Sequence, residues 1–240
     1  MLDNKKICIF FNADSLIDFS IENAAKSRGY EFLKVYFETE TEMSLSERLE
    51  YFKSSLKELN LKDLSNTRLI YAPNIQLRGK ELFSKSYSST SILFNPIALS
   101  LAYSSLCKKA SDNRIIFIGN VKGYDFIKID NNQKNVSDDS ILNKLGASAH
   151  DTQLDSSLGS LTKLLALNLA ESDIKVNAAM FGPIEDIDSE EIIEAYRKKS
   201  ISGIPINLND ISDSLDIFID PLNTYMTGQV LKFDGGVSIW

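Results

Sequence analysis

His150, the only histidine in the chain, stands beside Asp151 and five residues before Asp155, with no obvious nucleophile fixed next to it. A histidine held by a carboxylate is a general base. Without a nucleophile fixed next to it, the group reads better as a solvated loop histidine. The two cysteines, Cys8 and Cys107, form no C-x-x-C pair, which argues against a zinc site and against a disulfide framework, so no metal is expected. The formal charge is −7, and no cluster of cations is present to replace phosphate counterions. Nucleic acid is therefore disfavoured as a partner.

These residues sit on an alternation of strand and helix periods that runs through all 240 residues, without a Pro/Gly linker or an internal repeat. Lys6–Phe11 is continuously apolar, as a strand buried on both faces of a parallel sheet is. Asp14 or Ser15 can cap the helix after it and Gly29 can end it. Phe32–Phe37 is a second strand. Ser44 and Glu47 make a capping box, and Leu45, Leu49, Phe52, Leu56 and Leu59 then recur at helical spacing. Arg68–Ala72 reads as a strand, Asn95–Lys109 as a helix with Pro96 in its first turn, and Arg114–Gly119 as a strand. Helix Ser156–Glu171, strand Ile174–Met180, helix Asp210–Ile219 and strand Gln229–Asp234 complete the series. Parallel strands need crossover helices, so the alternation predicts one α/β domain over 1–240, a doubly wound parallel sheet with helices on both faces and an insertion at about 123–149. The stretch MLDNKK leads straight into a strand without an apolar leader, and no apolar run reaches the length of a membrane span. A cytoplasmic protein without a membrane partner is the expectation.

Two stretches resemble the short-chain dehydrogenase/reductase family. SLTKLLALNLAESDIKVNAAMFGPI, Ser160–Ile184, is similar to the family's helix, strand and Pro-Gly loop, and NTYMTGQVLKFDGGVSIW, Asn223–Trp240, to its closing T-G-Q…D-G-G. With Arg114–Gly123 they cover the C-terminal half; the first half resembles the family only in layout. The resemblance implies a Rossmann-like fold, and hydride transfer with NAD(H) or NADP(H) through a Ser, a Tyr and a Lys supported by an Asn. It also implies a glycine-rich loop after the first strand, where backbone approaches the pyrophosphate at a helix N-terminus.

At those positions the sequence departs from the family. Its three loop glycines fall on Asn12, Leu16 and Asp18, and there is no glycine at all between Met1 and Arg28. A carboxylate about 4 Å from a phosphate charge costs roughly 4 kcal/mol at an effective dielectric near 20. Asp186 stands where a Thr often helps to hold the pyrophosphate, and Ala72-Pro73-Asn74-Ile75 replaces N-N-A-G. The span before Arg68 has room for one helix where the family fits a helix, a strand and a helix, so the adenine-binding half is shortened. The Ser position holds Asn120, and the Tyr and Lys positions hold Asp151 and Asp155, a pair that repels across one helical turn. Asn95 matches the family's helix Asn, yet a lone Asn stabilises a bent helix equally well. Tyr124 and Lys128 reproduce the Tyr-Lys spacing within the insertion, as do Tyr30 and Lys34 on a strand where they would not co-operate.

The expectation is a chain without catalytic or cofactor-binding residues: a non-catalytic homologue that assembles with itself or with an active relative. The assembling segments would be helices 95–109 and 156–171 and the C-terminal strand. Leu158, Leu161, Leu164, Leu165, Leu167 and Leu169 exceed what one buried stripe needs. Two alternatives stand beside it. One is an atypical NAD(P)-dependent reductase using Tyr124 and Lys128; the other is a small-molecule site or non-redox enzyme in the vacated cleft, using His150.

Overall fold

The computed structural model describes residues 6–11, 17–36, 43–61, 64–72, 89–121 and 156–239. Six parallel strands form one sheet in the order β2-β1-β3-β4-β5-β6. They are β1 (Ile7–Phe11), β2 (Glu31–Val35), β3 (Thr67–Tyr71), β4 (Asn113–Asn120), β5 (Ile174–Phe181) and β6 (Val230–Phe233). Among the described residues six helices accompany them: α1 (Asp18–Ser27), α2 (Leu45–Glu58), α3 (Ser89–Ser104), α4 (156–168), α5 (Glu190–Lys199) and α6 (Leu208–Ile219).

The period of two along each strand divides the core. On one face Ile9 and Phe11 of β1, Leu69 of β3, Phe117 of β4 and Val176 of β5 pack under Phe52, Leu99, Tyr103 and Leu161 of α2, α3 and α4. On the other, Cys8, Phe10, Ile70, Ile116 and Phe181 pack under α1 and α6 through Ile21, Ala25, Leu215 and Phe218. The fold is thus the doubly wound α/β sandwich expected. One helix and no further strand occupy the described residues between β2 and β3, in keeping with the shortened half.

Four expectations need correction. The helix after β1 starts at Asp18 with Ile17 as its N-cap residue and without a side-chain cap, so neither Asp14 nor Ser15 begins it. The helix expected at 95–109 is α3, Ser89–Ser104, which places Pro96 inside it. An interior proline removes one backbone hydrogen bond; the burial of Ala98, Leu99 and Ala102 outweighs that loss. α3 ends early because the chain turns away at Cys107, which bridges to Leu64, and Ala110 takes φ +58°. The helix expected over 156–171 is regular only to 168, and a separate 3-10 turn spans Ala170–Ser172. Finally, α5 is absent from the expected series, although Glu190 and Glu191 in its first turn and Arg197, Lys198 and Lys199 in its last match the helix dipole.

Candidate functional site

β1 is followed on one side by β2 and on the other by β3, so the sheet has its topological switch point between β1 and β3. In open α/β sheets the crevice outside the carboxyl ends of the strands at such a point is where ligands bind. The described residues around it are the start of α1, the end of β2, Asn95 on α3, the end of β4 and the turn after β5. Asn12, Leu16, Tyr124, Lys128, His150, Asp151 and Asp155, and with them the insertion at 123–149, lie outside the described residues.

Asp18 is the first residue of α1, where a carboxylate meets the positive end of the helix dipole. Its Oδ2 pairs with the Lys34 ammonium from β2, and Lys34 also lies 4.6 Å over the Tyr36 ring. Its Oδ1 is buried with no hydrogen-bond partner among the described residues. The charge repulsion expected of Asp18 is therefore largely offset by Lys34, and the obstacle to a diphosphate becomes one of occupancy: the helix end already holds a carboxylate and the nearby cation is already engaged. Sequence spacing does not point to Lys34 as the partner of Asp18, because the pairing joins two separate elements. Tyr30, by contrast, contacts Lys6 and Arg68, so Tyr30 and Lys34 do not co-operate.

Asn95 is buried, and its Oδ1 accepts from Nη1 of Arg48 at 2.6 Å. Arg48 is itself buried in α2 and gives Nε to the carbonyl of Met43 at 2.9 Å. Desolvation lowers its pKa, a cost that the tie to Asn95 helps to offset. The one family-like polar residue on α3 thus anchors α2 to α3. Arg48 lies on the buried face of an otherwise apolar helix stripe, the one signal in the sequence that could reveal it.

Asn120 ends β4 beside Phe181. The preceding Gly119 is fixed by crowding, since a Cβ there would sit 2.8 Å from Sδ of Met180 and 2.9 Å from Leu158. After β5, Gly182 passes 3.1 Å, measured from a would-be Cβ, from Cα of Asp234. Asp186 is exposed, and its carboxylate accepts from the backbone N–H of Leu208 at 3.3 Å, closing the amino end of α6.

The signature-like C-terminal residues hold the architecture together. Asn177 donates to the carbonyl of Met226 at 2.9 Å and accepts from the N–H of Gln229 at 3.0 Å. Thr227 accepts from the N–H of Val176 at 3.1 Å, and Gly228 takes φ +70° as it turns into β6. Asp234 accepts from the N–H groups of Gly236 and Ser238. Gly235, at φ +56°, leaves room for Tyr196 and Ser202; a Cβ there would overlap both hydroxyls.

Burial pushes both thiols, Cys8 and Cys107, up to about 12, so neither supplies a thiolate near neutral pH. Among the described residues no group of His, Cys, Asp and Glu is placed to hold a metal. For a nicotinamide dinucleotide the fit is poor. A glycine-free first turn, a carboxylate at the helix end and a lysine already paired do not make the bare-backbone cradle that a diphosphate needs.

Residues 154–238 match a family model described as enoyl-(acyl carrier protein) reductase. A subunit of a hydroxy(phenyl)methylsuccinyl-CoA dehydrogenase from Thauera aromatica is 35% identical over 89 residues, 35% of this chain and 34% of that protein. A 3-oxoacyl-acyl-carrier-protein reductase from Thermotoga maritima is 32% identical over 83 residues, 33% of this chain and 34% of its own. The chain thus spans about a third of the length of the curated relatives it matches. Over its whole length it shares its fold with a short-chain dehydrogenase/reductase of Serratia marcescens, with a TM-score of 0.68 at 18% identity, covering 99% of each chain. No helix among the described residues is long and apolar enough to cross a membrane. In the fold of the whole chain and in the sequence of its C-terminal third, this protein is similar to short-chain dehydrogenases/reductases.

Proposed function

We propose that this chain is a non-catalytic member of the family that serves as a structural or regulatory subunit of an oligomer, made with itself or with an active relative. The observation that carries the reading is at the start of α1. There a glycine-free segment leads to Asp18, which engages Lys34 where the family presents bare backbone to a diphosphate. The family's Ser, Tyr and Lys positions hold Asn120, Asp151 and Asp155, none of which reproduces a phenol activated by a lysine.

The surface supports the second half of the reading. On α4, Leu158, Leu161 and Leu165 enter the core, while Leu164 and Leu167 are 52% and 77% exposed. On the neighbouring α3, Leu101 is 38% exposed. The surplus leucines on α4 therefore face outward on the helices through which the family assembles, where a second subunit would bury them. The matched Thauera protein is itself named as a subunit. Size-exclusion chromatography with light scattering tests the assembly: a dimer or larger species is expected, and a clean monomer, with no association when an active relative is added, contradicts it.

A further inference from the structure

The opposite edge of the sheet, where the strands begin, contains a cleft of about 740 Å3. That volume lies within the range of small-molecule sites. It runs past Lys6, Tyr30, Asn66 and Asp112 to Lys175 and Thr227, crossing from the start of β1 to the start of β6. None of these residues belongs to the carboxyl-edge crevice, so a ligand in this cleft is independent of the subunit role proposed for the chain.

The side-chain cluster around Asp112, at the wall of this cleft, is rich in cations. The Asp112 carboxylate takes Nη2 of Arg68 at 2.6 Å, Nη2 of Arg114 at 2.9 Å and Nζ of Lys175 at 3.4 Å. Arg68 and Arg114 are buried. Nε of Arg68 donates to the carbonyl of Ile219 and Nη1 of Arg114 to those of Phe218 and Asp220 at the end of α6, while Nη1 of Arg68 donates to the carbonyls of Thr67 and Asp112. A helix end contributes about half a negative charge, so the three cations of the cluster face roughly one and a half compensating charges within it, and the cleft wall adds one more carboxylate, Asp173, and one more cation, Lys6. Excess charge close to a low-dielectric interior favours a counterion. Arg68 reflects the imbalance: burial, and then the repulsion of Arg114, lower its pKa.

Lys175 is the cation of this group that reaches the cleft, and Asp112 lies beside it. The walls next to Lys175 are apolar, formed by Ala166, Ala170, Ile174 and Pro221, with Thr224 at the rim. Lys6 lies three strands away, roughly 14 Å at about 4.8 Å per strand, too far to share one small anionic group with Lys175. A polyanion would have to pass the carboxylates of Asp112 and Asp173, which also line the cleft. A single negative charge on an apolar body suits the site better. We propose that this cleft binds an organic monocarboxylate, with its carboxylate on Lys175 beside the Asp112 cluster and its apolar chain against Ala166, Ala170, Ile174 and Pro221.

Calorimetric titration of the full chain with octanoate, and with 1-octanol as the uncharged counterpart, tests the assignment. Saturable binding of one octanoate per chain is expected, with octanol at least about tenfold weaker, as the loss of a charged contact implies. Lys175→Gln removes the cation and is expected to weaken octanoate by a similar factor while leaving octanol unchanged. Ala170→Trp, at an exposed position on the cleft wall, fills the space without touching the charge cluster and is expected to abolish both. Octanoate binding that survives both substitutions, equal affinity for acid and alcohol, or no binding at millimolar octanoate overturns the proposal.

Discussion

At the scale of single residues, the chain commits its polar groups to structure, and removing them carries a definite cost. Asp112 is the clearest case. Burial alone would raise its pKa, but the hydrogen bond from Arg114 and the charge of Arg68 outweigh that and hold it below the ordinary carboxylate value. Because the folded pKa is depressed, its contribution is complete above the unfolded value near pH 4 and is lost as pH falls through the folded value. Asp112→Asn is expected to lower unfolding stability by about 3 kcal/mol at neutral pH, since two buried guanidinium groups lose their carboxylate while the site keeps some solvent access. In urea titrations the gap between variant and parent should narrow below about pH 4; a gap independent of pH would show that Asp112 is not the group responsible. Gly235→Ala is expected to cost about 2–4 kcal/mol, as it forces a Cβ into the left-handed region and onto the hydroxyls of Tyr196 and Ser202. The same denaturation measurement reads it, and a loss below about 1 kcal/mol would mean that the turn relaxes.

At the scale of elements, most of the fold is legible in the sequence because the strands are so apolar. Arg114–Gly119 falls inside the observed β4, and Ser44 with Glu47 forms the capping box the spacing announces. Ser44→Ala is expected to cost about 1 kcal/mol, read as a lower urea midpoint with an unchanged slope. Where sequence and structure differ, the causes are local. Pro96 imitates a helix start, whereas α3 begins earlier at Ser89 and carries the proline inside on the strength of tertiary burial. α5 carries its signal in charges at its ends rather than in an apolar stripe, with Ile193 and Tyr196 as its buried residues. The partners of the candidate site are harder to see. Arg48 with Asn95, and Lys34 with Asp18, join separate elements, and no period in a sequence reports such pairs. The departures at Asn12, Leu16 and Asp18 are visible at once, because they concern residue type at a position and not contact.

At the scale of the whole molecule, the parts of the sequence that match the family are largely those that close the sheet. Asn177, Thr227 and Gly228 splice β5 to β6, and Gly235 seats the turn that packs on α5. A chain can keep this joinery and its fold while its chemistry is replaced. A subunit of the kind proposed would act through its surfaces. Leu167→Glu places a charge at the most exposed leucine of α4 and is expected to reduce the mass seen by light scattering without lowering the melting temperature of the subunit. An unchanged mass would move the interface elsewhere. On the proposed reading the start of α1 does not accept a dinucleotide diphosphate, which thermal unfolding with millimolar NADH or NADPH measures. A ligand at about a hundred times its Kd stabilises by roughly 2.7 kcal/mol, a shift of several degrees. The predicted result is no shift with either cofactor; a saturable, concentration-dependent rise with one of them would contradict it.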